Sequence, residues 1–124
     1  MSVPSEPLVD GAPVRRFKNP NYKNVGSNLA ELRQKIDLID SQIIELLAQR
    51  ALCVQDATRF KKDAFQVAAP ARQAQVFERV KSQAEAHLEN FPNFPDIVET
   101  TYRTLVAGFI ASEQLLFQKT EINK

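Results

Sequence analysis

The chain has 124 residues, of which 44% are hydrophobic, and it carries 16 Lys and Arg against 15 Asp and Glu. This length predicts one domain, and the small net charge excludes a general attraction to nucleic acid or to acidic membranes. One cysteine, Cys53, and one histidine, His87, exclude an intramolecular disulfide, a thiolate metal site and any mechanism that needs two imidazoles.

The N-terminal residues differ in composition from the rest. Residues 1–28 hold four of the seven prolines and show no sustained hydrophobic period, so we predict an extended arm over 1–28 and a helical domain over 29–124. Basic and aromatic residues are interspersed within the arm, at Arg15, Arg16, Phe17, Lys18, Tyr22 and Lys23. Such interleaving occurs in nucleic-acid sites. Four basic residues without a folded platform are a weak signal for nucleic acid, so we predict that the arm does not bind it. We predict instead that the aromatic residues of the arm dock on the helical domain or on a partner subunit.

The location of the protein is predicted from its apolar runs and its thiol. The first 28 residues lack the continuous apolar stretch of about 7–15 residues that a signal peptide needs. The chain also lacks the stretch of about 20 apolar residues that a membrane span needs. With a lone thiol, these features predict a cytoplasmic protein that does not enter a membrane.

From residue 28 the hydrophobic pattern becomes helical. Asn28 followed by Glu31 predicts a capping box, in which the amide and the carboxylate bind the first free N–H groups of the helix. Apolar residues then recur at alternating spacings of three and four along one helix face, at Leu29, Leu32, Ile36, Ile39, Ile43 and Leu46. No Gly or Pro interrupts residues 27–69. We therefore predict a first helix that extends to about residue 63 and is roughly 50 Å long.

A second and a third helix are predicted to be shorter. Residues 63–69 are predicted to form a loop, after which Pro70 suits the first position of a helix over about 70–89. Its inner face is predicted to carry Val76, Phe77, Val80, Ala84 and Leu88.

Two prolines in the segment 90–95 end this helix, because proline lacks the N–H group that a helix interior needs. Asp96 followed by Glu99 predicts a second capping box and a third helix that ends near Gln118. The predicted fold class is all-α, with one long and two shorter helices.

The predicted lengths have a consequence for assembly. A helix near 50 Å is longer than two helices of about 30 Å can cover within one compact chain. The apolar face of the first helix therefore predicts an intertwined helical homodimer, in which the long helices pack antiparallel and share one core.

Three cations on the first helix have a spacing that indicates a binding site. Arg50 and Lys61 are eleven residues apart, so they lie on the same face, about 16 Å apart along the axis, and their side chains can converge over a small molecule. Arg33 lies about 26 Å before Arg50 on a straight helix and is rotated by roughly 100°. Arg33 can join that site only if it comes from the partner chain.

Five segments of the chain, in this order, resemble the all-helical class of chorismate mutases, including its isochorismate pyruvate lyase branch. They are Leu-Arg-Gln-Lys-Ile-Asp-Leu-Ile-Asp (32–40), Leu-Ala-Gln-Arg-Ala (47–51), Ala-Thr-Arg-Phe-Lys-Lys (57–62), Ala-Pro-Ala-Arg-Gln (69–73) and Ser-Glu-Gln (112–114). The resemblance covers about residues 29–118. It implies an intertwined dimer of three-helix chains with two buried active sites, in agreement with the length argument.

The resemblance also implies roles for individual residues. Arg50 would bind one substrate carboxylate, and Arg33 of the other subunit would bind the second. Lys61 and Gln114 would be the catalytic pair, both donating hydrogen bonds to the ether oxygen whose bond is cleaved. Arg72 matches a further substrate-binding arginine.

The chain departs from the mutase pattern at two positions. Mutases usually carry a glutamate where Gln73 stands, which accepts a hydrogen bond from the ring hydroxyl of the substrate, and an acidic residue where Ala69 stands. Gln73 can still accept such a bond through its carbonyl oxygen. The missing glutamate, together with Thr-Arg-Phe-Lys (58–61) and Ala-Pro-Ala-Arg (69–72), favours the lyase branch.

Because Gln73 can still take the place of that glutamate, the resemblance as a whole implies an isomerase, a chorismate mutase that converts chorismate to prephenate by a concerted Claisen rearrangement. This reaction needs no nucleophile, no proton transfer, no metal and no cofactor, which fits the scarcity of His and Cys. An isochorismate pyruvate lyase, which yields salicylate and pyruvate, is the alternative with nearly the same cationic site. A non-enzymatic helical dimer that serves as a binding module is the alternative of another class.

Overall fold

The computed structural model describes residues 6–87 and 91–123. Its helices are α1 (Leu29–Ala57), α2 (Ala64–Ala68), α3 (Pro70–Glu85) and α4 (Phe94–Gln118). All regular structure in the described residues is helical, which confirms the all-α class. The chain divides into two compact units, Met1–Ala48 and Gln49–Lys124.

In the first unit, the N-terminal segment contacts the start of α1. The Ala30 N–H group donates to the Val9 carbonyl oxygen at 2.7 Å, so a residue of the segment binds one of the free N–H groups at the beginning of the helix. The rings of Phe17 and Tyr22 contact each other, with centroids 4.6 Å apart. Both rings remain largely exposed to solvent.

The predicted capping box at the start of α1 is present. The Asn28 side-chain oxygen accepts from the Glu31 N–H group at 2.9 Å, and the Glu31 carboxylate accepts from the Ser27 N–H group at 3.1 Å. The carboxylate therefore binds one residue earlier than predicted. These bonds, with Lys35, hold the pKa of Glu31 below its usual range, the backbone bond from Ser27 being the largest cause.

The first helix is shorter than the prediction. It ends at Ala57 and not near residue 63, and a single 3-10 turn follows over Thr58–Phe60. Lys61 is extended, and the carboxylate of Asp63, also extended, accepts from the Gln66 N–H group at 2.9 Å. This cap starts α2 within the segment that was predicted to be a loop.

The bend between α2 and α3 occurs at Ala69, whose φ of 45° is in the left-handed region that residues with a Cβ rarely adopt. Pro70 then occupies the first turn of α3, as predicted. The helix ends at Glu85, earlier than the predicted residue 89, because Ala86 and His87 close it with turn bonds to Gln83 and Ala84. The predictions for Leu88 and for residues 89–90 lie outside the described residues.

The capping box predicted for the third helix is wrong. The helix α4 begins at Phe94, with Asn93 in the left-handed region as its N-cap and without a side-chain cap bond. Pro95 lies in the first turn, where its missing N–H group costs no helical bond. Asp96 instead pairs with Lys81 of α3 at 3.6 Å. The helix ends at Gln118, as predicted.

The core of the second unit lies between α3 and α4. Val76, Val80 and Val106 form a buried cluster. Val67 of α2 is also almost fully buried. Through these contacts α3 packs against the middle of α4, and α2 also contacts α4. Among the described helices, none combines the length and the apolar composition that crossing a membrane would require.

Candidate active site

The second unit contains a cavity of about 320 Å³ that is lined from the end of α1, from α2, and from one face each of α3 and α4. The lining includes four cations, Arg50, Lys61, Arg72 and Arg79, and one carboxylate, that of Glu113. The remaining walls are mostly apolar. A pocket with an excess of fixed positive charge and apolar walls is suited to a small anionic molecule.

Arg50 is the cation with the most distinctive environment. Its guanidinium carbon lies 4.8 Å from the centroid of the Phe109 ring. Its Nη1 atom is buried and has no hydrogen-bond partner among the described residues. A buried N–H group without a partner is energetically costly, and a bound carboxylate would satisfy it.

Lys61 and Glu113 form an ion pair at the cavity. The Lys61 Nζ atom lies 3.3 Å from Glu113 Oε2 and also donates to the Gln66 carbonyl oxygen at 3.2 Å. The Thr58 hydroxyl donates to the same Glu113 oxygen at 3.3 Å. Glu113 is only 5% exposed, so its carboxyl group is held between an ammonium and a hydroxyl in a site with little water.

Two residues at the start of α3 complete the polar lining. Arg72 lines the cavity and is exposed to solvent. Gln73 donates from Nε2 to the Ala68 carbonyl oxygen at 2.7 Å. Because this bond engages the amide N–H group, the Gln73 carbonyl oxygen remains available as an acceptor.

The structure does not bring Gln114 into the cavity. Its side chain donates from Nε2 to the Ala64 carbonyl oxygen at 3.0 Å and so connects α4 to α2. On α4, its neighbour Glu113 lines the cavity, as do Val106, Phe109 and Ile110.

Arg33 lies in the first unit, in the second turn of α1, and the cavity is lined by residues of the second unit alone. The structure thus brings Arg50, Lys61, Arg72 and Gln73 together in one chain. The predicted contribution of Arg33 from a partner chain stays a prediction.

Sequence reasoning did not assign Glu113, Phe109 or Arg79 to the site, although all three line the cavity. A signal for Glu113 was present, because it follows the buried Val106 by seven residues, which is two helical turns. Phe109 follows Val106 by three residues and was interpreted only as an apolar residue of the helix. Arg79 follows Arg72 by seven residues and faces the same way.

The arrangement can bind and orient an anion but offers little for covalent chemistry. Cys53 also lines the cavity, but no imidazole is present among the described lining residues to act as its base. The groups available are hydrogen-bond donors with fixed positive charge and one carboxyl group. Such a site can hold a dicarboxylate in a defined conformation and stabilise negative charge that develops on it.

Comparisons with known proteins agree with this geometry. The family model for chorismate mutase type II matches residues 32–114, which is more than half of the chain. A chorismate mutase from Methanocaldococcus jannaschii is 32% identical over 60 residues, which make up 48% of this chain and 61% of that protein. The match thus spans less than two thirds of that relative. Because the family model matches more than half of the chain, the chain belongs to the type II chorismate mutase family.

Proposed function

We propose that this chain is a chorismate mutase that converts chorismate to prephenate. The observation that carries the proposal is the buried, unpartnered Nη1 atom of Arg50 in a cavity that also holds Lys61. A dicarboxylate needs two cationic anchors, and this cavity offers several beside apolar walls for the ring. The relative named as a chorismate mutase supports the same reaction.

The rearrangement requires the flexible substrate to be held in a chair-like conformation. In our proposal, Arg50 binds one carboxylate and thereby removes most of the rotational freedom of that end of the molecule. Arg72, at the start of α3, adds positive charge at the solvent side of the cavity. The Gln73 carbonyl oxygen accepts a hydrogen bond from the ring hydroxyl, the role that mutases usually give to a glutamate.

The bond that breaks leaves partial negative charge on the ether oxygen. Lys61 supplies a positive charge beside this oxygen. Glu113 Oε2 lies 3.3 Å from the Lys61 Nζ atom, and we assign to Glu113 the role of holding this ammonium at the cavity.

We further propose that the chain works as a homodimer in which Arg33 of one chain binds the second carboxylate in the cavity of the other. None of the residues of α1 is buried, although Ile36, Ile39 and Ile43 lie on one face and are 54%, 53% and 48% exposed. A continuous row of half-exposed isoleucines on a helix of 29 residues is typical of an interface between chains.

The proposal is tested by incubating the purified protein with chorismate and, separately, with isochorismate. We expect prephenate from chorismate. If isochorismate gives salicylate and pyruvate while chorismate gives no prephenate, the protein is a lyase instead. If neither substrate reacts, the binding module is the alternative that remains.

Arg50→Ala should reduce kcat/KM for chorismate by at least several hundredfold, because it removes a charge-assisted carboxylate clamp. Arg59→Ala is the matched control, since Arg59 pairs with Asp56 at 3.0 Å and lies outside the cavity. A loss below tenfold in Arg50→Ala would remove Arg50 from the site.

A further inference from the structure

Arg50, Arg59 and Arg103 each contact an aromatic ring, but Arg50 differs from the other two in its ion pairing. Arg59 is paired with Asp56 at 3.0 Å, and Arg103 is paired with Glu99 at 2.8 Å. Among the described residues, no carboxylate lies within ion-pair distance of Arg50. The aromatic ring, 4.8 Å from the guanidinium carbon, is therefore the contact that orients this cation.

We propose that Phe109 is the positioning residue for Arg50, which it holds by its ring face so that the guanidinium N–H groups stay free for a carboxylate. This inference rests on the proposed function, because it explains how the arginine that binds the substrate carboxylate is held in place. None of the roles proposed for the other cavity residues involves Phe109.

The physical reason lies in how an aromatic ring binds a cation. The negative face of the ring attracts the guanidinium, whereas the N–H donors point outward in the guanidinium plane. A carboxylate partner would hold Arg50 equally well, but it would occupy the same donors and neutralise the charge that the substrate needs. A ring face therefore orients the cation without competing with the ligand.

The position of Phe109 on α4 strengthens the assignment. Phe109 and Glu113 are four residues apart, so they are neighbours on one face of the helix, and both line the cavity. The same face of α4 thus holds the carboxylate-binding cation through its ring and places a carboxyl group beside Lys61. A change at Phe109 should disturb Arg50 while leaving the Lys61–Glu113 pair in place.

The test compares Phe109→Leu, which removes the ring, with Phe109→Tyr, which keeps it. We expect kcat/KM for chorismate to fall about tenfold in the leucine variant and by less than about twofold in the tyrosine variant. Phe77→Leu is the matched control, because Phe77 lies under Arg103, 4.5 Å from its guanidinium carbon, and does not line the cavity. That variant should keep wild-type activity.

A second measurement follows Arg50 directly and does not depend on turnover. The side-chain NMR signal of Arg50 should carry a ring-current shift that persists in Phe109→Tyr and disappears in Phe109→Leu. An Arg50 signal that Phe109→Leu leaves unchanged would overturn the inference, as would equal losses of kcat/KM in the two Phe109 variants.

Stepwise fluorination of the ring at position 109 separates orientation from simple packing. Fluorine withdraws electron density from the ring face while nearly preserving its shape, so kcat/KM should decline with each added fluorine. A flat series would show that the ring only fills space and would overturn the inference. If the NMR shift behaves as expected but the wild type does not convert chorismate, the proposed function fails and the positioning role stands.

Discussion

At the scale of single residues, the site depends on which of two neighbours on α4 faces the cavity. Glu113 lies at the cavity beside Lys61, and Gln114 binds the Ala64 carbonyl oxygen. Glu113 is therefore placed to hold the Lys61 ammonium, whereas Gln114 joins α4 to α2. Replacing the two residues should have different effects on activity.

Glu113→Gln should lower kcat/KM for chorismate, because the amide keeps the shape of the side chain but removes the negative charge that holds the Lys61 ammonium at the cavity. We expect a loss of about tenfold or more, which steady-state kinetics of the two proteins measures.

Gln114→Ala is the informative comparison for that experiment. We expect it to cost less than tenfold in kcat/KM, since Gln114 connects α4 to α2 without lining the cavity. A loss of several hundredfold in Gln114→Ala, with an unchanged kcat/KM in Glu113→Gln, would restore the role first predicted for Gln114.

At the scale of helices, α3 and α4 are joined outside the cavity by a charged cluster. Lys81 of α3 pairs with Glu99 of α4 at 3.3 Å, and Glu99 also binds Arg103 at 2.8 Å. The Arg103 hydrogen bond, followed by the one from Lys81, holds the pKa of Glu99 below its usual range. The Glu99 carboxylate correspondingly raises the pKa of Lys81.

This cluster should make part of the stability depend on pH. A carboxyl group whose pKa is lower in the folded state stabilises the fold above its unfolded pKa, and that contribution is lost as the pH falls through the folded value. Glu99→Gln should therefore lower Tm at neutral pH, and the difference from wild type should shrink below about pH 4.

Thermal unfolding of Glu99→Gln at several pH values checks this expectation. Glu78→Gln is the matched control, because Glu78 is an exposed glutamate of α3 that makes no ion pair among the described residues. A Tm difference that is constant from pH 3 to 7 would argue against a role for the Glu99 charge.

At the scale of the whole molecule, the unpaired apolar face of α1 is the feature that a single chain leaves unexplained. The helix has 29 residues, so it is about 44 Å long, and none of its residues is buried. The homodimer that we propose would cover this face and would bring Arg33 to the cavity of the partner.

Mixing Arg33→Ala and Arg50→Ala chains should restore activity that neither variant has alone. If each site draws Arg33 and Arg50 from different chains, a mixed dimer contains one intact site and one doubly altered site. Random exchange of chains should then recover about a quarter of the wild-type activity.

Light scattering on the wild type shows whether dimers exist, and energy transfer between chains labelled with two different dyes shows whether they exchange. Each variant incubated with itself provides the background. A monomeric wild type, or no recovery after exchange has been demonstrated, would contradict a site shared between chains.

The sequence by itself determined the helical class, the cap at Asn28 before α1 and the end of α4 at Gln118, because these depend on local signals such as caps and helical spacing. The predicted grouping of Arg50 with Lys61 is present at the cavity but not through helical spacing, because α1 ends at Ala57 and Lys61 is extended. The sequence also carried enough family pattern to place the chain among the type II chorismate mutases.

Only the tertiary structure decided the end of α1, the short helix α2, and the choice of Glu113 over Gln114. In each of these places, local propensity permits more than one outcome, and packing selects between them. The cap at Asp63 accompanies the burial of Val67, and Glu113 lies two helical turns after the buried Val106 on the same face of α4. Burial depends on which distant segments meet, and the spacing of residues along one helix does not contain that information.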